Sequence, residues 1–209
     1  MARLPWQDAC DGLPITRATD REWTAIARGD LRGLLADHAH CEQKAASTAI
    51  ALIGRFPESP GLARGMIALA HEEMRHFRQV LDRIEARGET LEKPRPDVYV
   101  RSLREWGFRQ RGGIGALGDL LLVSAFVEAR SCERFRLLAE TFLEEEGDDQ
   151  RDLGGFYLSL ADAEARHWEL FRDLARETAP AGEVERRLAE MASAEGEIID
   201  SRPLEARMH

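Results

Sequence analysis

The chain has 209 residues, of which 44% are hydrophobic and 32% are charged, and this balance suits one soluble globular domain with a sizeable core. Its net charge of -9 argues against non-specific binding to nucleic acid, although it leaves room for a local basic patch. The N-terminal residues lack the apolar core of a signal peptide, and no apolar run approaches membrane-spanning length, so we expect a cytoplasmic protein without a membrane span.

Helical periodicity covers most of the chain after an irregular N-terminal segment, residues 1–20, and strand signals are nearly absent. A first long helix is predicted from about residue 30 to residue 55. Ser59 followed by Pro60 is an N-cap and first-turn signal, and Gly88 is a stop signal. A second helix is therefore predicted from Pro60 to residue 87.

Three more helices are predicted downstream, at about residues 114–145, 150–178 and 183–199. The connection between the second and third helices, residues 88–113, is too long for a tight turn, and it predicts the single long crossover of a ferritin-like bundle. The predicted fold is all-α: a ferritin-like four-helix bundle with one crossover and an additional C-terminal helix. We expect a single ferritin-like domain over residues 1–209.

Glutamates and histidines repeat along the four long helices in the order Glu, Glu-x-x-His, Glu, Glu-x-x-His. A Glu and a His three residues apart lie on one helix face, about 60° apart around the axis. Nearly equal offsets between the two copies predict two similar helix hairpins, each of which supplies three ligands. The six predicted metal ligands are Glu42, Glu73, His76, Glu128, Glu164 and His167.

Four carboxylates and two imidazoles suit a pair of iron or manganese ions better than zinc or calcium. We expect Glu73 and Glu164 to bridge the two ions and Glu42 and Glu128 to be terminal ligands. Such a pair leaves open coordination positions and, with electrons from outside, can activate O₂ to oxidise an unactivated C–H bond in a dry pocket. The catalytic residues are thus predicted to act through the metal pair.

Several neighbouring residues can be mistaken for ligands. Glu72 and Glu133 are interpreted as solvated surface charges, because Glu72 has no His three residues on and Glu133 falls outside the apolar stripe of its helix. His38, His40 and His71 are interpreted as ordinary polar helix residues, with a supporting role behind the metal ligands as the alternative. A packing role is assigned to three further residues: Tyr157, Cys41 and Cys132.

The crossover is locally basic in an acidic chain, and aromatic residues stand between its arginines. Arginines that bind phosphates and aromatic rings that stack on bases are what a protein needs to bind a single-stranded RNA loop. The alternative is a crossover that packs its aromatic residues on the bundle and leaves the arginines in solvent. The candidate RNA-binding residues are Arg95, Arg101, Arg104, Trp106, Arg109 and Arg111.

Four segments resemble the MiaE-type tRNA hydroxylases, a ferritin-like di-iron family that acts on tRNA 2-methylthio-N6-isopentenyladenosine. They are residues 37–46, 71–76, 125–135 and 163–167, and the resemblance covers about residues 15–200. The stretch Glu-Ala-Arg-Ser-Cys-Glu-Arg-Phe, from Glu128 to Phe135, is its most family-specific part. The Glu-x-x-His pairs alone are shared with all ferritin-like di-iron proteins.

The resemblance implies an O₂-dependent monooxygenase that hydroxylates the isopentenyl group of a hypermodified adenosine beside the tRNA anticodon. It implies two Fe ions, O₂ as co-substrate and an external electron donor, with the ligand roles carried by the same six residues. The expected partners are a tRNA anticodon loop and an electron-transfer reductase or ferredoxin, and the expected state is a monomer or small oligomer. With the resemblance, the RNA-binding interpretation of the crossover becomes the preferred one.

Rival functions use the same ligand set without an organic substrate. They are a ferritin-like ferroxidase or peroxidase, its manganese catalase-like form, and an iron-storage or carrier protein. A helical scaffold without metal is a further alternative. None of these needs a basic crossover with interleaved aromatic residues, so that segment discriminates between the hydroxylase and its rivals.

Overall fold

The computed structural model describes residues 10–109 and 112–209, and within these ranges all regular secondary structure is helical. The helices are α1 (Glu22–Gly29), α2 (Leu31–Arg55), α3 (Pro60–Ala86), α4 (Val98–Arg109), α5 (Ala116–Leu143), α6 (Asp148–Arg176) and α7 (Ala181–Asp200). The five predicted helices correspond to α2, α3, α5, α6 and α7, and their observed ends lie within two residues of the predicted ones.

Two short helices were not predicted. α1 precedes the first long helix, and α4 lies inside the crossover. α4 forms because Tyr99, Leu103 and Gly107, spaced four residues apart, give the segment one buried face, while its arginines point outward. The crossover is therefore an amphipathic helix flanked by extended chain.

Caps at the helix ends explain where the long helices begin and end. Asp30 caps α2, since its Oδ1 accepts a hydrogen bond from the Gly33 N–H at 2.9 Å. Gly88 ends α3 in a left-handed conformation, with φ +71°. Gly147, with φ +128°, allows α6 to begin at Asp148.

The chain divides into two compact units. The α2–α3 unit comprises Ala25–Pro96 and Leu204–Met208, and α2 packs against α3 within it. Its C-terminal segment is fixed by Asp37, whose carboxylate accepts from the Met208 N–H at 2.9 Å and from Arg207 Nε at 3.2 Å. The prediction of a single domain stays a prediction.

The α4–α7 unit comprises the described residues up to Thr24, Asp97–Pro203 and His209. α5 packs against α6, and both α4 and α7 pack on α5. α5 is the interior helix, since 20 of its 28 residues are buried. Among the described residues, no helix combines the length and the apolar character that a membrane span needs.

Candidate metal centre

Three of the predicted ligands come together in the α2–α3 unit. Glu42 lies on α2, while Glu73 and His76 lie one turn apart on α3. His76 Nδ1 is 3.5 Å from Glu73 Oε2 and 3.8 Å from Glu42 Oε2. Each residue offers a ligand atom within 4.8 Å of the others, and none is more than 4% exposed.

The α4–α7 unit contains a second cluster of the same composition. Glu128 lies on α5, and Glu164 and His167 lie one turn apart on α6. His167 Nδ1 is 3.2 Å from Glu164 Oε2, and the ligand atoms of all three residues lie within 4.8 Å of one another. These side chains are also buried. Each hairpin thus brings together the three residues that the sequence pattern grouped in it.

The donor chemistry of each cluster fits a transition-metal dication. Two carboxylates and one imidazole offer hard oxygen donors and one nitrogen donor. Burial of carboxylates in a low-dielectric interior costs free energy unless positive charge compensates them. A divalent iron or manganese ion bound by each cluster would supply that charge, and the thiolate ligands that favour structural zinc are not part of either cluster.

His38 supports a predicted ligand, which corrects its interpretation as an ordinary polar residue. It is fully buried on α2, one turn before Glu42, and its Nε2 lies 2.7 Å from Glu42 Oε1. The hydrogen bond fixes the orientation of the carboxylate. The spacing of four residues was the available signal, since it places both side chains on one helix face.

His40, two residues further on, has a different role. Its Nε2 lies 2.6 Å from the Glu92 carbonyl oxygen, so it joins α2 to the chain that follows α3. The interpretation of His40 as a polar residue outside the metal site agrees with this contact. His71 is exposed on α3.

The contrast between the two buried histidines of α2 gives a test. His38→Ala should weaken iron binding by about 10–100-fold, because the carboxylate of Glu42 loses the group that orients it. His40→Ala should instead lower the free energy of unfolding by about 1–3 kcal/mol and keep the iron affinity. Anaerobic iron titration and chemical denaturation of both variants measure the two effects. Equal iron affinities in the two variants would remove His38 from the site.

The interpretation of Glu133 as a surface charge is wrong. Glu133 is 0% exposed, and its Oε2 accepts a hydrogen bond from Arg130 Nη1 at 2.9 Å. Thr19 binds the same carboxylate through its N–H at 2.6 Å and its hydroxyl at 2.7 Å. α5 is buried over most of its circumference, and Glu133 lies on a buried side of the helix, where its carboxylate is paired.

Arg130 is the centre of this buried network. Its Nε and Nη2 bind the two oxygens of Glu195 on α7, each at 2.8 Å, and Glu195 also accepts from the Tyr99 hydroxyl at 3.0 Å. Burial opposes the charge on Arg130, but Glu133 and Glu195 outweigh it, and the pKa of the guanidinium lies above its ordinary value. The family-specific stretch from Glu128 to Phe135 therefore combines one predicted ligand with a structural ion network.

Three other residues that neighbour the proposed ligands in sequence, Glu72, Cys132 and Tyr157, have the structural roles predicted for them. Glu72 is partly exposed and pairs with Arg75 at 2.8 Å. Burial raises the pKa of the Cys132 thiol to about 12, and its Sγ donates to the Ala161 carbonyl at 3.1 Å, so it is a neutral core residue. Tyr157 is fully buried and packs against three rings, those of Phe135, Phe142 and Phe156.

The candidate RNA-binding residues on α4 and its flanks differ in their exposure to solvent. Exposed side chains are found at Arg95, Arg101, Arg104 and Arg109, whereas Arg111 lies outside the described residues. Trp106 is half-buried, and the Arg187 guanidinium covers its ring at 4.6 Å from the centroid. Phe108, in contrast, is 49% exposed. The exposed aromatic ring on the arginine-bearing face of α4 is therefore that of Phe108.

Known proteins match nearly the whole length of this chain. The family model described as tRNA-(MS[2]IO[6]A)-hydroxylase (MiaE) matches residues 14–209. A tRNA 2-(methylsulfanyl)-N(6)-isopentenyladenosine(37) hydroxylase of Pseudomonas putida is 38% identical over 209 residues, which are 100% of this chain and 96% of the relative. A protein of the same name in Salmonella typhimurium is 29% identical over 240 residues, covering 91% of this chain and 85% of the relative.

A solved structure extends the comparison to three dimensions. It is a protein with aldehyde deformylating oxygenase activity from Synechococcus, 35% identical, with a TM-score of 0.81 over 93% of this chain and 94% of that one. This likeness confirms the all-α, ferritin-like fold class. Because the family model spans almost the whole chain and a relative is 38% identical over all of it, the chain belongs to the MiaE family of tRNA hydroxylases.

Proposed function

We propose that the chain is an O₂-dependent di-iron monooxygenase that hydroxylates the isopentenyl group of a hypermodified adenosine beside the tRNA anticodon. The observation that carries the proposal is the pair of buried Glu, Glu-x-x-His clusters in a member of a tRNA hydroxylase family. The tRNA substrate supports a cytoplasmic location. A monomer or small oligomer remains the expected state.

We propose that the two clusters together hold two iron ions. The six residues that would bind them are Glu42, Glu73, His76, Glu128, Glu164 and His167. When bound, an iron pair supplies the redox chemistry that O₂ activation needs, which no side chain of the protein can supply. The chain's own contribution is to hold the carboxylates in place, as His38 does for Glu42, and to keep water away from the centre.

A cluster of apolar rings lies on α5 and α6, the helices that carry the second cluster of proposed ligands. Tyr157 lies two turns before Glu164 on α6 and packs among phenylalanines of α5 and α6. We propose that the isopentenyl group is bound beside these rings through the hydrophobic effect, at about 0.8 kcal/mol for each buried methylene. An apolar environment of this kind excludes water, so that oxidation is directed at the substrate.

The outward face of α4 is proposed to bind the RNA backbone. Arg101, Arg104 and Arg109 lie on this face with Phe108 among them, and all four are exposed. One acid, Glu105, accompanies them and pairs with Arg109 at 3.6 Å. Guanidinium groups can bind phosphates while the phenylalanine ring stacks on an unpaired base of the anticodon loop. Arg95 is a further exposed candidate.

A second candidate function is deformylation of an aldehyde, which is suggested by the 35% identical structure with aldehyde deformylating oxygenase activity. The two functions need different substrates. Isopentenylated tRNA and an aldehyde should therefore be offered separately to the iron-loaded chain, with O₂ and a chemical reductant. Mass spectrometry of the nucleosides should show one added oxygen atom, which carries the label when ¹⁸O₂ is used.

The controls decide between the proposed function and its rivals. Unmodified tRNA should give no product, and O₂ should be consumed faster when the isopentenylated tRNA is present. Loss of the aldehyde without any change in tRNA would favour the second candidate. Iron oxidation at one rate with and without RNA would favour the ferroxidase.

Binding of tRNA at several salt concentrations tests the RNA-binding face. Arg101→Ala with Arg104→Ala should weaken tRNA binding and lower the slope of log affinity against log salt by roughly 0.7–0.9 for each phosphate that is no longer neutralised. Phe108→Ala should cost about 1–3 kcal/mol of affinity with little change in the salt slope. Iron content should stay at the parent value in both variants. If the double variant binds tRNA as tightly as the parent at every salt concentration, the RNA surface lies elsewhere.

A further inference from the structure

The outward side of α3 carries an exposed stripe of basic and apolar residues. Successive spacings of three, four, three and four residues place its members on one helix face, over a length of about 21 Å. Ile67 is 50% exposed and Met74 is 48% exposed, which are large values for apolar side chains. The α3 outer stripe consists of Arg64, Ile67, His71, Met74 and Arg78.

The charge of the stripe differs from that of the chain. No carboxylate occupies any of its five positions, although the whole chain has a net charge of -9. The exposed acids Asp82 and Glu85 lie beyond Arg78 on the same face, so the basic part of this face ends at Arg78. Among the described residues, Arg64 and Arg78 form no ion pair, and both are exposed. The neighbouring Glu72 is already paired with Arg75. The stripe is therefore a local positive surface that would attract a partner of negative charge.

The composition of the stripe favours a protein over RNA as the partner. Methionine and arginine are enriched in protein–protein interfaces, and isoleucine supplies apolar area to bury. Recognition of single-stranded RNA uses aromatic rings that stack on bases. The stripe has no aromatic ring apart from the imidazole of His71, whereas the arginine-bearing face of α4 has Phe108.

The same helix carries two of the proposed iron ligands on its other side. Glu73 and His76 are 0% and 3% exposed and belong to the buried face of α3. An α-helix with its side chains is about 10 Å across, so a redox group docked on the stripe would be separated from the ligands by little more than one helix. The placement is suited to electron entry.

We propose that the α3 outer stripe docks an acidic one-electron carrier protein that reduces the iron pair, an inference that rests on the proposed function. Hydroxylation breaks one C–H bond and forms one C–OH group, and the second oxygen atom of O₂ leaves as water. The balance requires two electrons and two protons from outside the substrate. Two successive encounters with a one-electron carrier would supply the electrons.

The test compares two charge reversals on ligand-bearing helices. Arg64→Glu with Arg78→Glu changes the stripe, and Arg151→Glu with Arg166→Glu makes the same change in charge at exposed positions of α6. The probe is a small acidic plant-type [2Fe–2S] ferredoxin. Its binding to the metal-free chain is measured by calorimetry, and its reduction of the iron-loaded chain by anaerobic stopped flow.

The α3 variant should bind the ferredoxin at least about tenfold more weakly at low salt and be reduced more slowly by a similar factor, and both effects should shrink as salt is added. The α6 variant should behave like the parent. Equal binding and reduction in the parent and the α3 variant would overturn the proposal.

Two other occupants of the stripe are distinguished by the same variants. Loss of tRNA affinity in the α3 variant, with ferredoxin binding retained, would assign the stripe to RNA and overturn the proposal. A concentration-dependent dimer that only the α3 variant loses, again with ferredoxin binding retained, would assign it to a second copy of the chain.

A chemical reductant separates failure of the docking proposal from failure of the proposed function. With dithionite and methyl viologen, the α3 variant should hydroxylate tRNA like the parent, because the electrons no longer pass through a docked protein. If the parent forms no hydroxylated tRNA even then, the proposed function fails. The ferredoxin-binding comparison is still decisive for the stripe in that case.

Discussion

Replacing Glu73 by alanine should remove the iron pair and abolish hydroxylation. Glu73 is 0% exposed, and it lies in the cluster with Glu42 and His76. The α2–α3 unit offers only two carboxylates and one imidazole as donors, and the substitution removes one of the carboxylates. The iron content after reconstitution should fall from about two ions per chain towards zero, as expected for a two-metal site of this ligand class.

Glu72→Ala is the matched control, because Glu72 is the adjacent residue but is partly exposed and pairs with Arg75. It should bind iron like the parent. Stability measurements separate loss of the site from misfolding: metal-free Glu73→Ala should still unfold in one cooperative transition, as the metal-free parent does. Iron should stabilise the parent by about 2.7 kcal/mol at a hundredfold excess over its Kd, and should not stabilise Glu73→Ala. Unchanged iron content in Glu73→Ala would refute the ligand assignment.

Replacing Glu133 by alanine should destabilise the protein strongly while the folded fraction still binds iron. The change leaves Arg130 buried with one of its two carboxylate partners and takes the acceptor from Thr19. Breaking a buried ion pair typically costs about 3–5 kcal/mol, because the remaining charge stays uncompensated. For a chain of this size, the Tm should fall by on the order of 10 °C.

An exposed ion pair in the same unit provides the control. Glu185 accepts from Arg176 at 2.6 Å, a shorter distance than the one between Arg130 and Glu133, but both partners are exposed. Glu185→Ala should therefore cost less than about 1 kcal/mol. Thermal unfolding followed by circular dichroism measures both variants. Similar losses of stability in Glu133→Ala and Glu185→Ala would mean that the buried Arg130 network stabilises the fold no more than an exposed ion pair does.

The long helices and their clustered donors could be predicted because both depend on short-range patterns. Apolar residues at helical spacing mark α2, α3, α5, α6 and α7, and Glu-x-x-His places its two side chains on one face without reference to the rest of the fold. α4 was missed because its buried positions, Tyr99, Leu103 and Gly107, include only one aliphatic residue. Its arginines made the segment look like an irregular basic loop.

The error at Glu133 has a different origin. A glutamate off the apolar stripe of a helix is normally exposed, but that rule assumes that the helix has a solvent-facing side. The runs Leu120–Val123 and Leu137–Ala139 are apolar around the whole circumference of α5, and this was the signal that it lies inside. Glu195, the second carboxylate partner of Arg130, could not be identified, since it stands 65 residues from Arg130 and no local spacing connects the two.

The burial of most of α5 also bears on which parts of the molecule open first. Backbone amides in an interior helix exchange with solvent deuterium only when the surrounding structure unfolds, whereas an exposed helix such as α4 can fray and re-form on its own. We therefore expect the amides around Glu128 to exchange more slowly than those around the arginines of α4. The arginine-bearing face of α4 could then rearrange without displacing the carboxylate of Glu128.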